Sequence, residues 1–242
     1  MMKRNSYNSL KREPLKNKRI ICGIDEAGRG PVLGPMIICG ICFEESKLSY
    51  LKELGVKDSK KLKKEKRTEL AKILKREAYR FKLVEVSCVE IDDREKKKIS
   101  LNKLEELKMV LILNHLKPDI IYIDAADVNE KRFGKSIHKE LSYKPQKIIS
   151  KHKADDLFPI VSAASILAKN RRDAIIDRLR NKYKELGYND CGSGYASDQR
   201  SVNFLREWIK KHKNPPKFAR KSWETTKKIL EEEIYTKKLT DF

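Results

Sequence analysis

Ile20-Ile21-Cys22-Gly23-Ile24-Asp25-Glu26-Ala27-Gly28-Arg29-Gly30 is the stretch from which the fold of this chain is read. Arg19–Ile24 is short, rich in β-branched residues and bounded by charge, the pattern of a buried strand. Two adjacent carboxylates follow it, and then a Gly-Arg-Gly turn. Gly28 and Gly30 are expected to permit positive φ and a close approach of backbone N–H groups to a ligand. Arg29 adds a fork of donors suited to phosphate oxygens. Metal ligands beside a phosphate-binding turn point to metal-assisted chemistry on a phosphate ester.

Composition narrows the substrate. Among 242 residues, 56 Lys+Arg stand against 35 Asp+Glu, for a formal net charge of +21. Such a balance implies a polyanionic partner, most commonly nucleic acid. The plain alternative is a lysine-rich surface from a biased genome or a heat-adapted proteome. Apolar residues make up 39%, enough for one sizeable core. No apolar run is long enough to span a bilayer. Met1–Lys18 is basic and lacks an apolar segment, so it reads as a flexible cationic arm and not a secretory signal.

The five cysteines, Cys22, Cys39, Cys42, Cys88 and Cys191, are odd in number and lack framework spacing. They suggest a reducing, cytoplasmic setting. Cys39 and Cys42 form a CxxC, but on a strand positions i and i+3 face opposite sides, so core packing is expected there instead of zinc.

The order of elements is mixed α/β. Met36–Phe43 reads as a second strand in a hairpin with the first. Asp58 or Ser59 offers an N-cap for a charged helix from about Lys63 to Arg80. Phe81–Val89 reads as a third strand, Leu101–Leu116 as a helix stopped by Pro118, and Ile120–Ile123 as a fourth strand ending at Asp124. A helix over 129–141, a short strand at Lys147–Ile149 and a long helix from Pro159 to Leu186 follow. Two further helices, over 198–212 and 221–235, look like an appendage.

If the first and fourth strands are parallel neighbours, Asp25 and Asp124 meet at their carboxyl ends, where open α/β sheets place ligands. A third acidic position is Asp155-Asp156, and the residues alone do not choose between the two. Carboxylates about 4 Å apart repel by roughly 4 kcal/mol at an effective dielectric near 20. Divalent cations reverse that penalty, and oxygen-only ligands suit Mg²⁺ or Mn²⁺. Two such ions about 4 Å apart can activate water and stabilise a leaving oxygen. Asp127, three residues before Glu130, fits a capping box. Asp92, Asp93 and Asp173 read as solvated faces, and Ser162 and Ser165 as packing residues. His152 reads either as a phosphate contact or as a solvated loop residue.

The chain resembles ribonuclease HII, most closely its archaeal members. The matching blocks are GIDEAGRGPVLGPM (Gly23–Met36), VKDSKKL (Val56–Leu62), PDIIYIDAADV (Pro118–Val128), KHKADDLFPIVSAASILAKNRRD (Lys151–Asp173) and GSGYASD (Gly192–Asp198). The resemblance implies a ribonuclease H-like five-stranded mixed sheet flanked by helices. It divides the chain into the arm (1–18), a catalytic domain (19–196) and a C-terminal helical subdomain with its tail (197–242). It implies an endonuclease, expected as a monomer, that cuts the RNA strand of RNA–DNA hybrids. Duplex DNA would be cut 5′ to single embedded ribonucleotides, leaving 3′-hydroxyl and 5′-phosphate ends, as in ribonucleotide excision repair or primer removal. By the same resemblance the catalytic, metal-binding acids are Asp25, Glu26, Asp124 and Asp155. Gly28, Arg29 and Gly30 contact the ribose 2′-hydroxyl and scissile backbone, Tyr195 packs on that ribose, and Lys60 contacts phosphate.

Three features depart from the family pattern. Ala196 stands where proline usually follows the tyrosine, which is expected to loosen Tyr195. Tyr188–Cys191 looks like extra length, and the basic arm lies outside the pattern. The arm leaves no room for the additional N-terminal domain of ribonuclease HIII. A non-catalytic nucleic-acid-binding protein of the same fold is the reading from another class, and the presence of all four acids argues against it. The tail Lys237–Phe242 looks like a truncated version of the motif with which some archaeal relatives dock on the DNA sliding clamp. Thr236 replaces its usual glutamine, and a frayed terminus is the plain alternative.

Overall fold

Five strands form one mixed sheet in the order β3-β2-β1-β4-β5 in a computed structural model that describes residues 18–56 and 62–234. β1 (Ile20–Ala27) and β2 (Met36–Glu44) form the expected antiparallel hairpin. After a 3-10 turn and α1 (Leu48–Glu53), α2 (Lys64–Glu77) leads into β3 (Arg80–Val86), antiparallel to β2. α3 (Cys88–Lys96) and α4 (Leu101–Leu116) follow, then β4 (Ile120–Asp124), α5 (Glu130–Glu140) and β5 (Lys147–Lys151). β4 runs parallel to both β1 and β5. The described chain ends with α6 (Ala154–Leu157), α7 (Pro159–Glu185), α8 (Gln199–His212) and α9 (Glu224–Ile234).

Two apolar layers sandwich the sheet. Ile37, Cys39, Ile41 and Phe43 of β2 pack with Leu70 and Leu74 of α2 and the Ala163-Ala164 stretch of α7. The alternate residues Met36, Ile38 and Cys42 pack with α4 through Met109, Ile112 and Leu113. Cys39 and Cys42 therefore sit on opposite faces, as the period of two requires, and all five cysteines are buried and unpaired. Gly23 lets α7 lie directly on β1, since a Cβ there would be 2.1 Å from the Ile160 carbonyl oxygen. A third cluster, Val32, Leu33, Phe204, Leu205 and Ile209, ties α8 to the segment that follows the Gly-Arg-Gly turn.

Several boundaries differ from the sequence expectation. β1 continues through Asp25 and Glu26 because both remain in register with β2, opposite Cys39 and Ile38. α2 starts after Lys63, which offers no side-chain cap; Asp58 and Ser59, the expected caps, lie outside the described residues. It stops at Glu77 because the Tyr79 N–H is already donated to the Cys42 carbonyl at 2.9 Å. The third strand ends at Val86, since the Ser87 hydroxyl accepts from the Glu90 N–H at 3.1 Å and starts α3. Ser87-x-x-Glu90 is a capping signature in plain view. The last helix starts at Glu224, since 219–223 is extended or turned against the 32–34 segment.

Candidate active site

The parallel pairing of β1 with β4 sets the acids side by side. Ile24 is opposite Ile123, so Asp25 and Asp124 follow on neighbouring strands, whose axes lie about 4.8 Å apart. Both side chains point to the α7 face, while Glu26 points to the α4 face. Asp124 Oδ1 accepts the Ala154 N–H at 2.8 Å, which anchors α6 at the end of β4. That contact places Asp155, buried, on the Asp25 side; Asp156 is exposed. The structure thus separates two residues the sequence left equivalent. The Ser162 hydroxyl donates to the Asp155 carbonyl and holds the start of α7 to the same turn.

Crowding is expressed in protonation. Burial first, then the charges of Glu26, Asp124 and Asp155, push the Asp25 carboxyl well above the usual carboxylate range. Glu26 is pushed up by burial and by Asp124, and Arg29 opposes that shift. Ser165, buried and without a hydrogen-bond partner of good geometry, still favours the charged form of Asp25. Among the described residues no group of three or more Asp, Glu, His or Cys side chains stands close enough to hold a metal ion by itself. The four acids offer oxygen donors only, and their charges repel one another. That fits Mg²⁺ or Mn²⁺, which take one or two carboxylates and fill other positions with water and phosphate oxygens.

The Gly-Arg-Gly turn borders a cleft of about 440 Å³ that Glu26, Lys169, Arg172 and Tyr195 also line. Gly28 adopts φ +82°, and a Cβ there would meet Arg172 at 2.5 Å and the Pro35 carbonyl at 2.8 Å. Gly30 differs from expectation: its φ is not positive, and nothing lies within 4 Å of where its Cβ would be. Arg29 differs too. Its guanidinium is tied back to α4, paired with the fully buried Glu105 and donating to Asn102 Oδ1 at 2.5 Å, so its fork is occupied within the protein. Gly28→Ala is expected to lower Tm by several degrees, through backbone strain and overlap. Gly30→Ala is expected to leave Tm within about 1–2 °C; thermal melts of the two variants check this.

Tyr195 is exposed at the cleft, 40% accessible, with the Arg172 guanidinium 5.0 Å from its ring centre. The loop around it is braced despite Ala196. Gly194 donates to Ser201 Oγ at 2.9 Å and accepts from Val32 and Leu33, and the Tyr195 carbonyl accepts from Asp198 at 3.1 Å. The loosening expected from the missing proline is therefore opposed by these bonds. Arg172 donates to the Ser193 carbonyl at 3.0 Å and so joins this loop to the Gly28 turn. Lys60 lies outside the described residues.

The remaining acids resolve into structural tasks. Asn129, not Asp127, caps α5; Asp127 accepts from the Asn129 N–H at 2.9 Å and pairs with Arg132. Glu130 accepts from the His152 N–H at 2.6 Å, and His152 Nε2 faces the Val128 carbonyl at 3.1 Å. Asp173 pairs with Arg67 at 2.7 Å. Asp92, expected on a solvated face, instead accepts from the Lys221 and Ser222 N–H groups at 2.9 and 3.0 Å. Asp93 is as expected, paired only with Lys96 at the surface. Sequence reasoning missed Glu105, Arg172 and the residues that Asp92 anchors. Only Arg172 lay in a quoted block.

The fold is that of the ribonuclease H-type endonucleases. Ribonuclease H2 from Pyrococcus horikoshii OT3 superposes with a TM-score of 0.82 at 42% identity, covering 88% of this chain and 98% of that one. The ribonuclease HII of Archaeoglobus fulgidus, solved in a PCNA:RNase HII complex, superposes at 0.76 with 36% identity, over 85% and 95% of the two chains. The chain belongs to the ribonuclease HII family, whose model matches residues 22–226. Ribonuclease HII of Methanosarcina barkeri is 47% identical over 220 residues, 88% of this chain and 96% of the relative. The chain is accordingly a ribonuclease H-type endonuclease, a hydrolase. Among the described residues no helix is long and apolar enough to cross a membrane.

Proposed function

We propose that this endonuclease hydrolyses the RNA strand of RNA–DNA hybrids and cuts duplex DNA on the 5′ side of a single embedded ribonucleotide. One observation carries the reading: Glu26, next to the buried Asp25 and electrostatically coupled to Asp124, lines the same cleft as the glycine turn and the exposed Tyr195. Asp25, Glu26, Asp124 and Asp155 are the residues that would hold divalent ions. Such ions supply a nucleophilic water and charge stabilisation at the leaving oxygen. The turn at Gly28–Gly30 offers backbone groups to the ribose 2′-hydroxyl, the one group that distinguishes RNA from DNA at a nucleotide. Tyr195 packs against that ribose, and Lys60 contacts a flanking phosphate.

In the reaction, water oxygen bonds to phosphorus and the P–O3′ bond breaks. The departing oxygen takes up a proton to become a 3′-hydroxyl, leaving a 5′-phosphate on the other fragment. A duplex with one ribonucleotide, incubated with Mg²⁺, Mn²⁺ or EDTA, tests this through its mapped ends. Metal-dependent cutting 5′ to the ribonucleotide is expected. Binding without cutting in any metal would favour the non-catalytic alternative.

The Archaeoglobus relative's complex with PCNA supports a second contact, between the tail Lys237–Phe242 and a sliding clamp. The tail lies outside the described residues. Truncation to residues 1–235 is expected to weaken clamp binding at least about tenfold in calorimetry. Equal affinity of the two forms would end that proposal.

A further inference from the structure

A buried charged side chain, Arg220, lies behind the Gly-Arg-Gly turn. Its side chain is fully buried, and among the described residues its guanidinium donates to backbone carbonyls. Its guanidinium donates to the Arg29 carbonyl at 2.5 Å, to the Gly28 carbonyl, and to the Gly34 carbonyl at 3.1 Å. Trp223 Nε1 donates to the next carbonyl, Gly30, at 3.0 Å. Three consecutive carbonyls of the turn are thus held by two side chains from a segment some 190 residues later.

That segment is itself fastened. The Arg220 N–H is donated to the Val32 carbonyl at 2.9 Å, and the Gly34 N–H to the Phe218 carbonyl at 2.8 Å. Asp92 of α3 holds Lys221 and Ser222 by their N–H groups and takes the Ser222 hydroxyl at 2.6 Å. The Trp223 ring lies between two guanidinium groups, with Arg94 at 5.1 Å and Arg220 at 4.8 Å from its centre. Among the described residues Arg220 has no carboxylate partner, a costly state for a buried cation, and burial pulls its pKa down to about 10. An apolar residue would fill the space more cheaply, so the guanidinium has to be explained by what it holds.

In a trans peptide the carbonyl of one residue and the N–H of the next point in opposite directions. Carbonyls of Gly28 and Arg29 drawn back toward Arg220 therefore turn the Arg29 and Gly30 N–H groups forward. Neither N–H has an acceptor among the described residues. We propose that Arg220 and Trp223 are positioning residues that clamp the turn's carbonyls from behind and so aim the Arg29 and Gly30 N–H groups into the cleft as oxygen-binding donors. The buried positive charge behind the turn adds a field of the sign a phosphate-bearing strand requires. The inference rests on the cleft being the substrate site proposed above.

Trp223→Phe removes one clamp bond while keeping a ring, and Arg220→Lys keeps the charge but loses the fork. Both are assayed on a duplex with a single ribonucleotide, at least 10 °C below the lower of the two melting temperatures. Loss of a preorganised contact is expected to cost about tenfold in kcat for Trp223→Phe and about a hundredfold for Arg220→Lys, with KM within about twofold. The Gly30 carbonyl carbon resonance should move upfield in Trp223→Phe, with the β1–β4 resonances unchanged. A kcat that falls only with the folded fraction, or a Gly30 resonance that does not move, overturns the clamp. A wild-type protein that cuts no ribonucleotide-bearing duplex counts against the nuclease reading, while the resonance still decides the clamp.

Discussion

Asp25→Asn and Asp124→Asn are each expected to lower cleavage of a ribonucleotide-bearing duplex by at least about 10³-fold, roughly 4 kcal/mol of transition-state stabilisation, with hybrid affinity expected to change by less than about threefold. The substitution preserves shape and removes one unit of the negative charge that divalent ions need. Neither substitution removes any of the 56 Lys and Arg residues expected to contact the phosphate backbone. Single-turnover cleavage and filter binding, run side by side, separate the two effects. Retained turnover in Mg²⁺ with either variant would contradict the assignment.

Asp25→Asn has a second readout that needs no substrate. Burial and three neighbouring acids raise the Asp25 pKa in the folded chain, so the folded state binds its proton more tightly than the unfolded state does. The stability this contributes is full below the unfolded value, about 3.9, and is lost as pH rises through the raised folded value. In EDTA at pH 8, therefore, Asp25→Asn is expected to melt higher than the wild type, and the gap should close as pH falls toward about 4. A variant that melts lower than wild type at pH 8 would mean that the Asp25 charge stabilises the fold.

Tyr195→Ala is expected to slow cutting at a lone ribonucleotide in DNA by about 10–100-fold, the scale of 1–3 kcal/mol for one stacked ring. A continuous RNA–DNA hybrid should suffer less, because neighbouring ribonucleotides offer alternative registers. The ring is exposed at the cleft and rests on Arg172 on its protein side, so its removal leaves no core cavity. Equal loss on both substrates would argue against a role in sensing the junction.

The sheet was legible because its strands carry unambiguous apolar runs and β4 ends in an acid; that Asp124 also takes the first N–H of α6 was not legible. The pairing of Asp25 with Asp124 followed from the parallel β1–β4 arrangement, and the structure has that register. Position by itself could not tell Asp155 from Asp156; in the folded chain Asp155 is buried and Asp156 exposed, a difference that depends on how Ala154 docks on Asp124. Short helices were missed where a cap was read as strand, at Ser87. The fate of Arg29 was illegible for a different reason. Its partner Glu105 is an acid on a helix face that composition alone marks as solvent, whereas α4 buries it against the turn. Arg220 is further still from any motif, and only the folded chain shows that a residue near the C-terminus touches Gly28.

On the proposed reading, Asp25, Glu26, Asp124 and Asp155 hold divalent ions against a ribose-bearing strand. The most direct measurement is anomalous scattering from crystals of the protein with Mn²⁺ and a non-cleavable duplex carrying one ribonucleotide. The account predicts two manganese peaks about 4 Å apart, each bound by at least one of these carboxylates and by an oxygen of the phosphate 5′ to the ribonucleotide. Manganese bound elsewhere, or a ribonucleotide seated away from the Gly28–Gly30 turn, would contradict it.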